Sequence, residues 1–114
     1  MMTLGDKQRI FTKNVGRLIE WAYINGYEIT LAEAYRTPEQ AAQNAKDGTG
    51  IANSLHCQRL AIDLNLFENG RYLTKTEDHK RLGNFWESMH ELNCWGGSWG
   101  DDGNHYSMEH KGVK

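Results

Sequence analysis

Apolar side chains recur every three or four residues over roughly Gly5 to Asn25, which is the spacing of one apolar stripe on a helix. We predict a helix here that Gly26 ends. Apolar and polar residues then alternate from Tyr27 to about Tyr35, and this period of two favours a strand. Thr37 followed by Pro38 is typical of an N-cap and a first helical residue, so a short second helix should start there.

The second half of the chain continues the alternation of strands and helices. The pattern predicts a strand over Leu60–Phe67, a turn with Asn69 and Gly70 at its tip, and a third helix over Glu77–Leu92. A short strand, Asn104–Glu109, should follow a loop rich in glycine and tryptophan. This order of elements favours an α+β fold, in which helices pack on one side of a small antiparallel sheet.

Length and composition narrow the class of protein. With 114 residues the chain is the size of one domain, and we expect a monomer. The net charge of −2 lacks the basic field that nucleic-acid binding needs, so we expect no nucleic-acid partner. No apolar run approaches the ~20 residues of a membrane span, and the N-terminus lacks the apolar core of a signal peptide. We therefore expect synthesis in the cytosol and no membrane partner.

Three side chains suggest a metal site. In the strand Leu60–Phe67 the leucines and Ile62 share one face, so Asp63 projects from the other. His56 lies in the loop before this strand, and His105 belongs to the last strand. Each residue alone is more often a surface or hydrogen-bonded side chain. Together, two imidazoles and one carboxylate match the three protein ligands of a catalytic zinc site.

Two stretches of sequence resemble motifs of a known group. "SLHCQRLAIDL" is similar to the S-x-H-x(6)-D signature of the zinc peptidases grouped with D-alanyl-D-alanine carboxypeptidases and the hedgehog amino-terminal domain. "WGGSWGDDGNHYSME" resembles their second motif, a tryptophan-glycine run followed by D-x-x-H and an aromatic residue. Within this group, "AYRTPEQ" and "WGG" most resemble phage endolysins that act as L-alanyl-D-glutamate peptidases. The resemblance spans roughly Glu33 to Glu109.

The resemblance implies the roles of the central residues. His56, Asp63 and His105 would bind Zn²⁺, and Asp102, three residues before the second histidine, would be the general base. The loop between base and histidine lacks the proline that many relatives carry and has a glycine instead, which loosens it. The neighbouring Asp101 therefore stays an alternative for the base.

Further residues are implied around the substrate. Arg36 and Gln40 match the group's R-x-x-x-Q, where the arginine holds the substrate or the developing oxyanion. Ser54 matches the residue two positions before the first histidine and is expected to support the site. Trp95 and Trp99 lie beside glycines in the site loop and could wall a peptide cleft, although structural packing is at least as frequent a role.

The remaining histidines lack a partner at ligand spacing. His79 and His110 lie in charged stretches and are expected to be exposed, and His90 belongs to the third predicted helix. The hydroxyl of Tyr106 is expected to reach solvent.

By resemblance, the expected substrate is the stem peptide of bacterial peptidoglycan, cut between L-alanine and D-glutamate. Such an endolysin would be made in the host cytoplasm and reach the cell wall through a separate pore protein. Two alternatives remain open from the sequence. One is a D-alanyl-D-alanine carboxypeptidase or dipeptidase on the same fold, and the other is a non-catalytic zinc-binding recognition module.

Overall fold

A computed structural model describes residues 1–114 as a mixture of helices and short strands. The α-helices are α1 (Leu4–Ile24), α2 (Pro38–Lys46) and α3 (Lys80–Met89). The strands are β1 (Tyr27–Leu31), β2 (Ala61–Glu68), β3 (Arg71–Leu73), β4 (Asn93–Trp95) and β5 (His105–Met108). Short 3₁₀ turns occur at Leu55–Gln58, Thr76–His79 and Gly96–Ser98.

The first two helices begin where the sequence predicts. Thr3 and Asp6 form a reciprocal capping box at the start of α1, which satisfies backbone N–H groups that have no partner within the helix. Gly26, with φ of +89°, follows the end of α1. Thr37 caps α2 by accepting a hydrogen bond from the backbone N–H of Gln40. None of the helices combines the length and the apolar composition that crossing a bilayer requires.

The sheet is antiparallel throughout, and its strand order brings the two site strands together. The order is β1-β2-β5-β4, with β3 pairing with a further part of β2. The last strand in sequence, β5, therefore lies between β2 and β4. In the β2–β5 register Asp63 is directly opposite His105.

The core lies between the sheet and the helices α1 and α3. It includes Leu64 and Leu66 of β2, Leu18 of α1, and Trp86 of α3, all fully buried. The indole N–H of Trp86 reaches the carbonyl oxygens of Cys94 and Ser107, at 3.1 and 3.0 Å, and so ties α3 to β4 and β5. Helices and a small antiparallel sheet confirm the α+β prediction.

Three local predictions differ from the structure. β1 ends at Leu31, short of Tyr35, although the next residues still exchange backbone hydrogen bonds with Asp63. The third helix is shorter than Glu77–Leu92, because its first turn is 3₁₀ and the chain turns at His90. Strand β4 was not predicted, since three residues are too few to show a period of two.

Candidate metal centre

Three structural elements hold the proposed ligands. Ser54 caps the 3₁₀ turn Leu55–Gln58 by accepting a hydrogen bond from the His56 N–H at 3.2 Å, and this turn carries the His56 ring. Asp63 lies in β2, and His105 is the first residue of β5. The ligand atoms of the three side chains all lie within 4.8 Å of one another, so these residues could hold a metal ion.

The Asp63 carboxylate is the centre of this group. Its Oδ1 lies 3.4 Å from Nε2 of His56 and 3.3 Å from Nδ1 of His105. Burial alone would raise the pKa of Asp63, but the hydrogen bonds from His105 and His56 outweigh it and lower the pKa to about 2. Asp63 is therefore ionised at neutral pH, which is the state that a metal ligand requires.

The donor set suits zinc. Both imidazoles are buried, at 3% exposure for His56 and 9% for His105, and both direct a nitrogen toward the same carboxylate oxygen. Two imidazole nitrogens and one carboxylate oxygen leave a further position open in a tetrahedral zinc site. Nδ1 of His56, on the other side of the ring, is buried and has no hydrogen-bond partner. When bound here, zinc supplies a Lewis acid for an amide carbonyl and lowers the pKa of water.

The structure separates the two candidate bases. Oδ2 of Asp102 lies 3.9 Å from Nδ1 of His105, and the Asp102 side chain is 55% exposed. Asp101 instead accepts a hydrogen bond from the Thr76 hydroxyl at 2.5 Å. Asp102 thus faces the three-residue group from the solvent side, whereas Asp101 is bound to the turn before α3.

Arg36 lies behind His56. Its guanidinium is bound to the Glu33 carboxylate and donates to the Ser54 hydroxyl at 3.4 Å, so only 14% of the side chain is exposed. The hydrogen bond that Arg36 donates to the Glu33 carboxylate raises the pKa of Arg36. Sequence reasoning did not single out Glu33. The available signal was an acidic residue three positions before the arginine, where β1 pairing ends.

The residues expected to touch substrate are not all at the site. Trp99 is half-exposed and its ring lies 5.8 Å from the His105 ring, so it borders the group. Trp95 is 6% exposed, belongs to the core, and donates from its indole to the Gly103 carbonyl at 2.7 Å, so most of its ring has a packing role.

Ser54 and Gln40, the two other residues expected to contact substrate, form hydrogen bonds within the protein. Ser54 is 4% exposed and bonds Arg36 and His56, so it supports the site from behind instead of meeting substrate. The Gln40 amide donates to Asn44 within α2 at 2.6 Å and makes no contact with the metal-binding group.

His79 and Tyr106 also differ from expectation. His79 is 3% exposed, and its Nδ1 lies 2.7 Å from the hydroxyl of the fully buried Tyr106. Although its neighbours in "TEDHKR" are charged, His79 lies at the junction of the 3₁₀ turn and α3 with its ring buried. Each side chain supplies the buried partner that the other needs.

Comparison with known proteins shows the family to which the chain belongs. Residues 47–108 match the model of the D-alanyl-D-alanine carboxypeptidase family, which is more than half of the chain. The matched segment includes all three residues of the metal-binding group and both aspartates of the loop. No curated protein is a significant match to the sequence.

Solved structures share the fold. The L-Ala D-Glu endopeptidase ChiX of Serratia marcescens superimposes with a TM-score of 0.75 at 14% identity, covering 89% of this chain and 79% of that one. The vancomycin resistance D,D-pentapeptidase VanY from a VanB-type cassette, in complex with Zn(II), gives 0.57 at 18% identity, covering 86% and 70%. VanYB in complex with D-alanine-D-alanine gives 0.53 at 18% identity, covering 86% and 68%.

Proposed function

Because this chain belongs to the D-alanyl-D-alanine carboxypeptidase family, whose members are zinc peptidases acting on peptidoglycan peptides, we propose that it cleaves the L-alanyl-D-glutamate bond of the peptidoglycan stem peptide. The observation that carries a catalytic role is the half-exposed Asp102 carboxylate beside the His56, Asp63 and His105 group. A hydrolytic site needs such a base next to its metal ligands, whereas a structural site does not.

Each residue has a defined task in this proposal. His56, Asp63 and His105 hold the zinc ion. Asp102 accepts a proton from the attacking water at its Oδ2 and returns it to the amine that leaves. The positive charge of Arg36, held by Glu33 and Ser54, offsets the negative charge that develops on the carbonyl oxygen.

The choice of bond is supported by structural likeness. The L-Ala D-Glu endopeptidase ChiX has the higher TM-score, 0.75, compared with 0.57 for the D,D-pentapeptidase VanY. The AYRTPEQ and WGG motifs agree with this preference, since they resemble those of L-alanyl-D-glutamate peptidases.

A second candidate is hydrolysis of the D-alanyl-D-alanine bond. Two similarities favour it. The matching family is that of the D-alanyl-D-alanine carboxypeptidases, and the fold is shared with VanYB, whose structure holds D-alanine-D-alanine. Both candidates use the same metal ligands and the same base, so they differ only in the bond that is presented to the site.

A non-catalytic zinc module is less well supported. Structural zinc sites in proteins are closed by four protein ligands, whereas this group has three. The solvent-facing Asp102 carboxylate would have no purpose in a purely structural site.

We also propose that the protein acts as a monomeric endolysin. In this role it is made in the host cytoplasm and reaches the cell wall after a separate protein has opened the membrane. Support comes from the resemblance of its motifs to phage endolysins. Addition of the purified protein to permeabilised bacteria should then lower their turbidity, and intact turbidity would refute the lytic role.

One digestion separates the three functions. Purified peptidoglycan is incubated with the zinc-loaded protein, and the products are identified by mass spectrometry. New amino-terminal glutamate supports the proposed bond, and release of free D-alanine supports the second candidate. Zinc binding without any product would identify a recognition module. The Asp102→Asn variant serves as the matched inactive control.

A further inference from the structure

The two nitrogens of the His56 ring lie in different surroundings. Nε2 faces the Asp63 carboxylate at 3.4 Å and is the atom placed to bind metal. Nδ1 points the other way, is buried, and lacks a hydrogen-bond partner. A histidine that binds metal through Nε2 carries its proton on Nδ1, and a buried N–H without an acceptor costs free energy. The site therefore needs an acceptor on this side of the ring.

Glu33 is the carboxylate that faces this nitrogen. Its Oε1 lies 3.9 Å from Nδ1 of His56, within about 1 Å of hydrogen-bonding distance. The backbone at Glu33 is already fixed, because its carbonyl accepts the Asp63 N–H at 2.8 Å. Glu33 is thus bound through its backbone to the strand that carries Asp63, and its side chain faces the ring of His56.

The same Glu33 carboxylate also binds Arg36. Arg36 reaches Ser54, and the Ser54 hydroxyl accepts the backbone N–H of His56. Glu33, Arg36, Ser54 and His56 therefore form a closed ring of contacts on the side of His56 that faces away from Asp63.

We propose that Glu33 is a positioning residue of this site: it accepts the Nδ1 proton of His56, which directs Nε2 toward the metal, and it holds Arg36 in place. The inference rests on the proposed function only for the role of Arg36, because the effect on His56 concerns metal binding itself. Loss of such an acceptor behind a metal-bound histidine lowers metal affinity by about 10- to 100-fold.

The experiment measures zinc affinity by competition with a chromophoric chelator. Glu33→Ala removes the acceptor and should bind zinc about 10- to 100-fold more weakly than wild type. Glu33→Gln keeps an oxygen acceptor without charge and should lie between the two. Glu28→Gln is the matched control, since Glu28 is an exposed glutamate of β1, the strand that precedes Glu33, and has no side-chain hydrogen bond or ion pair. It should bind zinc like wild type.

A second comparison separates the two contacts of Glu33. In an Arg36→Ala background, Glu33→Ala should still weaken zinc binding, because the lost acceptor belongs to His56. Equal zinc affinity of the Arg36→Ala single variant and the double variant would overturn the proposal, as would wild-type affinity in Glu33→Ala. Circular dichroism of each variant confirms that the fold is retained, and the Glu33→Gln variant decides if Glu33→Ala does not fold.

These affinities do not depend on any peptide substrate. A wild-type protein that binds zinc but cuts no peptidoglycan would refute the proposed function and leave the Glu33 inference intact. If the wild-type protein cuts peptidoglycan but Glu33→Ala binds zinc as tightly as wild type, the Glu33 inference is refuted and the proposed function stands.

Discussion

At the scale of single residues, metal binding depends on which ring nitrogen each histidine directs toward the Asp63 carboxylate. Asp63 Oδ1 is shared by Nε2 of His56 and Nδ1 of His105, so the two imidazoles present different nitrogens to the same point. A backbone rotation that moved either ring would separate the donors. The packing that fixes these rings is therefore as important as the ligands themselves.

The orientation of the two loop aspartates gives a direct prediction. Asp102→Ala should retain zinc but lower the hydrolysis rate by roughly 10²- to 10⁴-fold, which is the usual contribution of a general base. Asp101→Ala should change the rate little, because its carboxylate binds Thr76. Zinc content and peptidoglycan hydrolysis are measured for both variants. An inactive, zinc-loaded Asp101→Ala protein beside an active Asp102→Ala protein would assign the base to Asp101.

At the scale of elements, the glycine-rich loop between β4 and β5 sets the position of Asp102. A Cβ atom on Gly96 would overlap the carbonyl oxygen of Asp102, and one on Gly103 would meet the backbone of Thr76. The loop backbone at Gly96 therefore lies against the backbone of Asp102, and the loop backbone at Gly103 lies against the turn that contains Thr76. Only glycine permits such short distances.

Substitution in this loop tests its role. Gly96→Ala should displace the backbone at Asp102, lower the hydrolysis rate, and destabilise the fold by about 1–3 kcal/mol, as is typical of overpacking. Gly100→Ala is the control, because a Cβ there meets no atom within 4 Å. Urea unfolding and hydrolysis rates are compared. Equal stability and activity in the two variants would show that the close approach at Gly96 does not position Asp102.

The sequence predicts the elements that carry long periodic patterns and strong caps, such as α1 and the start of α2 at Thr37. It also identifies the residues that form the metal-binding group, because strand alternation separates Asp63 from the core leucines. It could not place Glu33, Trp95 or His79, since their surroundings depend on contacts between distant segments. The pairing of His79 with Tyr106, for example, joins residues 27 positions apart.

At the scale of the whole molecule, the sheet joins all parts of the site. The ligands come from the turn before β2, from β2, and from β5, so any opening of the β2–β5 pairing separates Asp63 from His105. Stability of the fold and occupancy of the metal site should therefore depend on each other.

Zinc should stabilise the folded protein. A ligand that binds only the folded state adds about 2.7 kcal/mol at a free concentration 100 times its Kd. We expect the Tm of wild type to rise with zinc and to fall on addition of chelator. His105→Ala should lose this response, whereas His110→Ala, outside the metal-binding group, should keep it. A zinc-independent Tm in wild type would contradict the coupling.

Buried His79 should make the fold sensitive to acid. Burial lowers its pKa from 6.5 to about 4, and the nearby Asp78 only partly offsets this. Between these values the unfolded chain binds more protons than the folded one, so stability rises with pH across this window and is lost as pH falls through it. The loss attributable to His79 is roughly 3 kcal/mol.

This loss can be isolated by substitution. The free energy of unfolding is measured in urea at pH 7 and pH 4.5 with chelator present, for wild type and for His79→Gln. Wild type should lose more stability on acidification than His79→Gln does. Equal losses in the two proteins would show that His79 does not titrate in this window.

The interior place of β5 affects how the protein is made. A ribosome synthesises β5 after every other strand, yet β5 fills the gap between β2 and β4. Until this segment has left the exit tunnel, β2 and β4 lack the neighbour they share, and the nascent chain holds only two of its three metal ligands. Metal loading should therefore follow the release of β5, and any stall in translation before His105 exposes unpaired strand edges that favour aggregation.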